Sequence, residues 1–265
     1  MTTAEFRELF ERRFAALFEG ESEFDDALRY ACFGGGKRVR PMGVWLGASA
    51  VNAAPPVDEV ISLACAIELI HSYSLVHDDL PAMDNDDYRR GRLTVHKKFG
   101  EAAGILVGDM LLSRAAGVLA KGAVKFGADF AVAARVMADA AADMVRGQVL
   151  DLQGMRTEEE FGAMYALKTG ALFRAAFLAG AIAAGATEEE RERVSAYAEA
   201  LGLGFQIADD LLDEGEESSL VTVVGEKAAR ELLEKCTREA VACAASLPHG
   251  EELAAFAEQL RTRKK

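Results

Sequence analysis

Residues 57 to 78 run almost unbroken through apolar side chains and end on a pair of aspartates. A segment this long and this apolar makes a helix buried on nearly all sides, so the rest of the chain must be built around it. Its main exceptions are Glu68, His71 and Asp78, whose spacings of three and seven residues place them on one face. Polar groups aligned along a buried helix face a site more readily than solvent.

The remaining chain repeats the helical period. Helices are expected over 3–19, from Glu23 to Phe33, from Lys37 to Val51, and over 101–121, 128–150, 158–184, 188–213, 225–246 and 250–262. Gly34-Gly35-Gly36 and Pro55-Pro56 break the pattern, and residues 79–99 read as polar and irregular. With only five prolines and few β-branched runs, no strand signal stands out. Gly-Ala runs such as Ala179-Gly180-Ala181 and Gly202-Leu203-Gly204 suit close helix–helix approach. The expected fold is all-α: one domain over residues 1–265, a bundle of about ten or more helices.

A net charge of −13 argues against a general nucleic-acid binder. The four cysteines, Cys32, Cys65, Cys236 and Cys243, show neither CxxC pairs nor metal-finger spacing, which favours a reduced, cytoplasmic protein with Cys65 as a buried thiol. The charged, amphipathic start MTTAEFRELFERRF does not read as a signal peptide. No apolar stretch is expected to reach the roughly 20 residues of a membrane span.

Three constellations carry chemistry. Asp78-Asp79-Leu80-Pro81-Ala82-Met83-Asp84 is followed closely by Arg89 and Arg90. Carboxylates at a buried helix end call for a cation, and magnesium in turn favours a phosphate-bearing ligand that guanidinium groups can grip. A surface salt-bridge network is the plainer alternative. Gln206, Asp209, Asp210 and Asp213 line one stripe of a later helix, a pattern that also suits a solvated face. Gly34-Gly35-Gly36-Lys37-Arg38-Val39-Arg40-Pro41 sets glycines and bases at a helix start, a metal-free anion site that does not match a nucleotide P-loop. Together they suggest two phosphorylated ligands, one held through metal and one by bases.

The stretches GGGKRVRP, ELIHSYSLVHDDLPAMDNDDYRRGRLTVHKKFGE, GQVLDL, LKTGALF and GFQIADDLLD resemble, in order, the motifs of the trans-isoprenyl diphosphate synthases, most nearly the bacterial farnesyl or geranylgeranyl type. The resemblance covers residues from about 23 to 235. It implies the isoprenoid synthase type I fold, helices around a central cavity, and a homodimer. It also implies head-to-tail (1′–4) condensation of isopentenyl diphosphate with an allylic diphosphate, with geranyl, farnesyl or geranylgeranyl diphosphate as product. Three magnesium ions, for which manganese can substitute, would be held by Asp78, Asp84 and Asp209, with Asp79, Asp210 and Asp213 in support. Arg89, Lys168, Thr169 and Gln206 would meet the allylic diphosphate. Gly36, Lys37, Arg40, His71 and Arg90 would hold isopentenyl diphosphate. Tyr73, five residues before Asp78, and Ser74 would form the floor that limits product length, with the aromatic favouring the fifteen-carbon product.

The chain departs from the family pattern after Asp213. In place of a loop of the form GKxxGKD it runs Glu214-Gly215-Glu216-Glu217-Ser218-Ser219, without the lysine expected on the allylic diphosphate. Either the loop is deleted, leaving a more open site that is slower or dependent on a partner, or a mobile flap belongs here that the sequence lacks. Two other functions compete. A non-catalytic regulatory subunit would usually lose an acidic motif, yet both are intact. A class I terpene cyclase shares the metal logic but has no second diphosphate for Lys37, Arg40 and His71 to hold. Plainer roles are expected for His77 (packed at a helix end), His96 (ordering the loop after the arginines), His249 (surface) and Asp151 (support of the site, a cap or a salt bridge).

Overall fold

The computed structural model describes residues 1–212 and 219–261. The helices are α1 (Thr3–Ala15), α2 (Glu23–Cys32), α3 (Val39–Val51), α4 (Val57–Asp78), α5 (Val95–Phe99), α6 (Glu101–Phe126), α7 (Ala128–Gln153), α8 (Glu158–Tyr165), α9 (Ala171–Ala183), α10 (Glu188–Leu212), α11 (Leu220–Val224), α12 (Glu226–Ala245) and α13 (Glu251–Arg261). Capping boxes start several of them. Thr2 with Glu5 opens α1, Ser22 with Asp25 opens α2, and Thr157 with Glu160 opens α8, each satisfying two otherwise orphaned N–H groups.

The apolar helix α4 lies at the centre, packed on α3, α6 and α9. Phe6, Phe10 and Phe14 of α1 are fully buried, and Phe6 stacks on Trp45 of α3 at 4.7 Å. Helices α3 and α9 touch backbone to backbone. A Cβ at Gly47 would lie 2.0 Å from the Phe177 carbonyl oxygen, and one at Gly180 would lie 1.9 Å from that of Val44. The Ala179-Gly180-Ala181 run therefore does serve a close approach. A second, smaller cluster gathers Phe161, Tyr165, Ile207, Leu220 and Cys236 where α8, α10, α11 and α12 meet.

The all-α architecture matches expectation, with four local differences. Helix α1 ends at Ala15 rather than near residue 19. The irregular stretch 79–99 holds a minimal antiparallel hairpin, Tyr88–Arg89 with Arg92–Leu93, and the short helix α5. The expected helix over 158–184 is interrupted at Ala166–Gly170 by a π-helical turn, which separates α8 from α9. Finally, Val57–Asp78, Glu101–Phe126 and Glu158–Ala183 are long and apolar enough, by length and composition, to cross a membrane, which corrects the expectation that no stretch reaches that length. The first and third bury 72% and 67% of their most apolar windows within the fold, but the second buries only 33%.

Candidate active site

Helix α4 delivers Asp78 to the site, and the turn after it brings Asp84 back. The Asp84 N–H donates to the Asp78 carbonyl at 2.9 Å, so the turn through Pro81 and Ala82 sets both carboxylates at one helix end. Burial pushes the Asp78 carboxyl up to about 6, with Asp84 and Asp79 adding repulsion, while Lys168 and Arg89 oppose the rise. Asp84 is raised too, first by partial burial, and Lys168 again opposes it. This crowded pair of hard oxygen donors is short of positive charge, which is the chemistry magnesium suits.

Among the described residues no three His, Cys, Asp or Glu side chains converge into a ready-made metal cage. Magnesium commonly keeps waters and takes phosphate oxygens rather than filling its shell with protein ligands.

Two of the three acids expected to support the metal, Asp79 and Asp210, are engaged by protein groups. Asp79 is only 3% exposed, and Arg89 donates to it from Nε and Nη2, both at 2.6 Å. Asp210 is also buried. It accepts from the Tyr165 hydroxyl at 2.5 Å and from the Leu220 N–H at 3.2 Å, pinning the start of α11 to α8 and α10. Asp209 lies half-buried one residue earlier on α10. Asp213 and residues 214–218 fall outside the described residues.

The π-helical turn carries the next group. The Lys168 ammonium pairs with Asp151 of α7 at 2.5 Å, and Thr169 Oγ1 donates to Gln206 Oε1 on α10 at 3.0 Å. Asp151 therefore takes the salt-bridge role. Gly147 makes this arrangement possible, because a Cβ there would lie 2.2 Å from the Lys168 backbone nitrogen. π-turns of this kind are frequent at functional sites.

The basic group divides in two. Arg38, in the left-handed region at φ 52°, turns inward onto Glu68 at 2.6 Å and Glu11 at 2.9 Å, a structural ion pair that consumes one polar residue of the α4 face. Arg40 instead meets His71, with Nη1 at 3.3 Å from Nε2, and lies over the Phe173 ring at 5.0 Å. Burial lowers the Arg40 guanidinium to about 10, and its Nε is buried without a partner. Burial holds His71 well below its usual range, and Arg40, Arg90 and Arg89 push the same way. Arg90 donates to the Gly35 carbonyl and packs against Gly36, where a Cβ would lie 2.8 Å from its Nη1. Lys37 is exposed, its carbonyl accepting from Arg7 at 2.7 Å.

Between α4, α7 and the π-turn runs a cavity of about 420 Å³. Arg40, His71, Asp78, Lys168 and Thr169 give it polar groups, while Tyr73, Met83, Met144, Val149 and Leu152 give it apolar walls. Gln148 also lines it, buried and with neither amide atom hydrogen-bonded. The residues were visible in GQVLDL, but only the fold shows that Gln148 faces the cavity. His96 is buried with Nδ1 3.0 Å from Thr94 Oγ1, which suits a loop-ordering role, and His249 is exposed.

A family model described as polyprenyl synthetase matches residues 21–249. The geranylgeranyl diphosphate synthase of Cyanophora paradoxa is 43% identical over 197 residues, which are 71% of this chain and 64% of that protein. The farnesyl diphosphate synthase of Geobacillus stearothermophilus is 38% identical over 221 residues, 80% of this chain and 74% of its own. Among solved structures, an FPP/GFPP synthase from Zymomonas mobilis superposes with a TM-score of 0.90 at 33% identity, covering 97% of each chain. The chain belongs to the polyprenyl synthetase family. It spans less than two thirds of the Cyanophora relative and about three quarters of the Geobacillus one.

Proposed function

We propose that the protein is a transferase, a short-chain prenyltransferase that joins isopentenyl diphosphate to dimethylallyl or geranyl diphosphate and releases farnesyl diphosphate as its main product. It works as one domain over residues 1–265. The observation that carries this reading is the cavity, in which Asp78 sits with Arg40, His71 and Lys168 beside walls of apolar side chains that include Tyr73.

Asp78, Asp84 and Asp209 would hold magnesium, up to three ions in a site, which when bound draws negative charge from the leaving diphosphate. Lys168, Arg89, Thr169 and Gln206 grip the same diphosphate and favour its departure, since fixed charges placed where negative charge develops lower the barrier. Lys37, Arg40, Arg90, His71 and the Gly36 backbone seat isopentenyl diphosphate. His71 stays neutral, so its Nε2 accepts from Arg40 and helps orient that guanidinium. The allylic C1–O bond breaks, the isopentenyl double bond attacks C1, and a proton leaves for the departing pyrophosphate. Met83, Met144 and Val149 keep water from the cation.

Tyr73, 6% exposed in the cavity wall, supports a fifteen-carbon product. The chain's 43% identity with the Cyanophora geranylgeranyl diphosphate synthase favours the twenty-carbon product as the second reading. Incubation with magnesium, isopentenyl diphosphate and each allylic diphosphate of five, ten or fifteen carbons, followed by chromatography, separates the two. Tyr73→Ala should lengthen the product, and an unchanged distribution would rule out this floor.

The protein functions as a homodimer. Helix α6 exposes Ile105, Leu106, Met110 and Leu112, an apolar face suited to a second copy. A monomer at micromolar concentration by light scattering would contradict this. Four unpaired cysteines support a cytoplasmic location.

A further inference from the structure

His77 occupies the last turn of α4, one helical turn beyond Tyr73, so the two side chains share a face. Their rings meet edge to face, with centroids 6.0 Å apart and planes at 80°. Both line the cavity. The far side of the imidazole is fixed by α6: Nε2–H donates to the Ile105 carbonyl at 3.1 Å, and Asp109 Oδ1 lies 3.9 Å away. The tautomer follows from that contact, because a carbonyl can only accept.

The ring has room there because residue 108 is glycine. A Cβ at Gly108 would lie 2.0 Å from His77 Nε2 and 2.3 Å from its Cδ2. Glycine weakens a helix interior, and Gly108 sits in the eighth position of the 26-residue α6, so its presence there calls for a steric cause. The imidazole supplies that cause: it fills the notch, is hydrogen-bonded at its tip, and presents its near edge to Tyr73.

We infer that His77 is a second determinant of product length, a positioning residue that holds the Tyr73 ring at the angle that closes the cavity. The inference rests on the proposed role of Tyr73 as the floor. With the imidazole gone, the tyrosine ring loses the surface that fixes its tilt, and it can turn away from the growing tail. With a methyl group at residue 108, the imidazole must leave its notch and disturb the same ring from the other side. The effect belongs in the ratio of products, since neither change touches a group that holds a diphosphate.

The test compares His77→Ala, His77→Phe, Gly108→Ala and Tyr73→Ala, with product lengths measured from isopentenyl and geranyl diphosphates in the presence of magnesium. His77→Ala is expected to raise the ratio of twenty- to fifteen-carbon product several-fold. His77→Phe keeps a ring against Tyr73 and should hold the ratio near that of the parent. Gly108→Ala should shift the ratio, and the double change His77→Ala with Tyr73→Ala should give no more than Tyr73→Ala alone. Parental ratios for His77→Ala and Gly108→Ala, alongside longer products from Tyr73→Ala, would overturn the role of His77 and leave the tyrosine floor standing. If Tyr73→Ala also keeps the parental ratio, the floor itself is wrong and the inference falls with it. Should His77→Ala fail to fold, as a thermal melt would show, a shifted ratio for His77→Phe would still overturn the ring-support argument.

Discussion

The Lys168 ammonium lies 2.5 Å from the Asp151 carboxylate, and the same ammonium is the leading attraction opposing the upward shift of both Asp78 and Asp84. One cation thus links the acids of α4 to α7 through a π-helical turn. Replacing Lys168 with alanine should cut kcat/KM for the allylic substrate by about 100-fold or more, the usual cost of losing a fixed charge at a developing anion. Asp151→Asn keeps the lysine and should cost far less. Steady-state kinetics with varied allylic diphosphate would compare them, and equal losses would assign the work to the pair rather than to the ammonium.

Arg38 and Glu68 form an ion pair at 2.6 Å with side chains only 6% and 5% exposed. Arg38 also pairs with Glu11, whereas Glu68 has Arg38 as its ion partner, so Arg38→Ala leaves a buried carboxylate unpaired and should destabilise the fold by about 3 to 5 kcal/mol. Replacing both by apolar residues of similar volume should recover much of that loss. Urea unfolding of the two variants checks the difference.

His71 titrates below its ordinary value of 6.5 in the folded protein because burial and nearby arginines disfavour its charge. The unfolded chain therefore takes up this proton first as pH falls. The contribution of His71 is whole above about pH 6.5 and is lost as pH drops from there towards the folded value, at up to about 1.4 kcal/mol per unit. Stability measured from pH 7.5 to 5 should fall less steeply in His71→Gln than in the parent.

Gly147 and Gly180 separate activity from stability. Gly180→Ala forces a methyl group towards the Val44 carbonyl and should cost about 1 to 3 kcal/mol of stability. Gly147→Ala meets the Lys168 backbone instead, so its main effect should be on kcat. Paired melts and rate measurements test this, and an equal rate loss in both variants would contradict it.

Much of this was legible in the sequence, for physical reasons that differ by element. The aspartates of α4 and the bases after the triple glycine stand out because charge at an apolar helix end is costly and therefore conspicuous. The π-turn at Ala166–Gly170 was not legible, since its residues keep a helical pattern and the close approach of Gly147 lies in the fold. The hairpin at Tyr88–Leu93 is too short for alternation to show. Asp79 and Asp210 look like their neighbours in the sequence, and only burial reveals that one is held by Arg89 and the other by Tyr165 and Leu220.

The most direct measurement is condensation itself in a variant with alanine at both Asp84 and Asp209. With isopentenyl and geranyl diphosphates and magnesium, the parent should form farnesyl diphosphate, and the double variant should lose turnover by several orders of magnitude while melting at a similar temperature. Turnover at the parental rate in that variant would contradict the assignment of these acids to a metal-bound diphosphate, and with it the proposed chemistry.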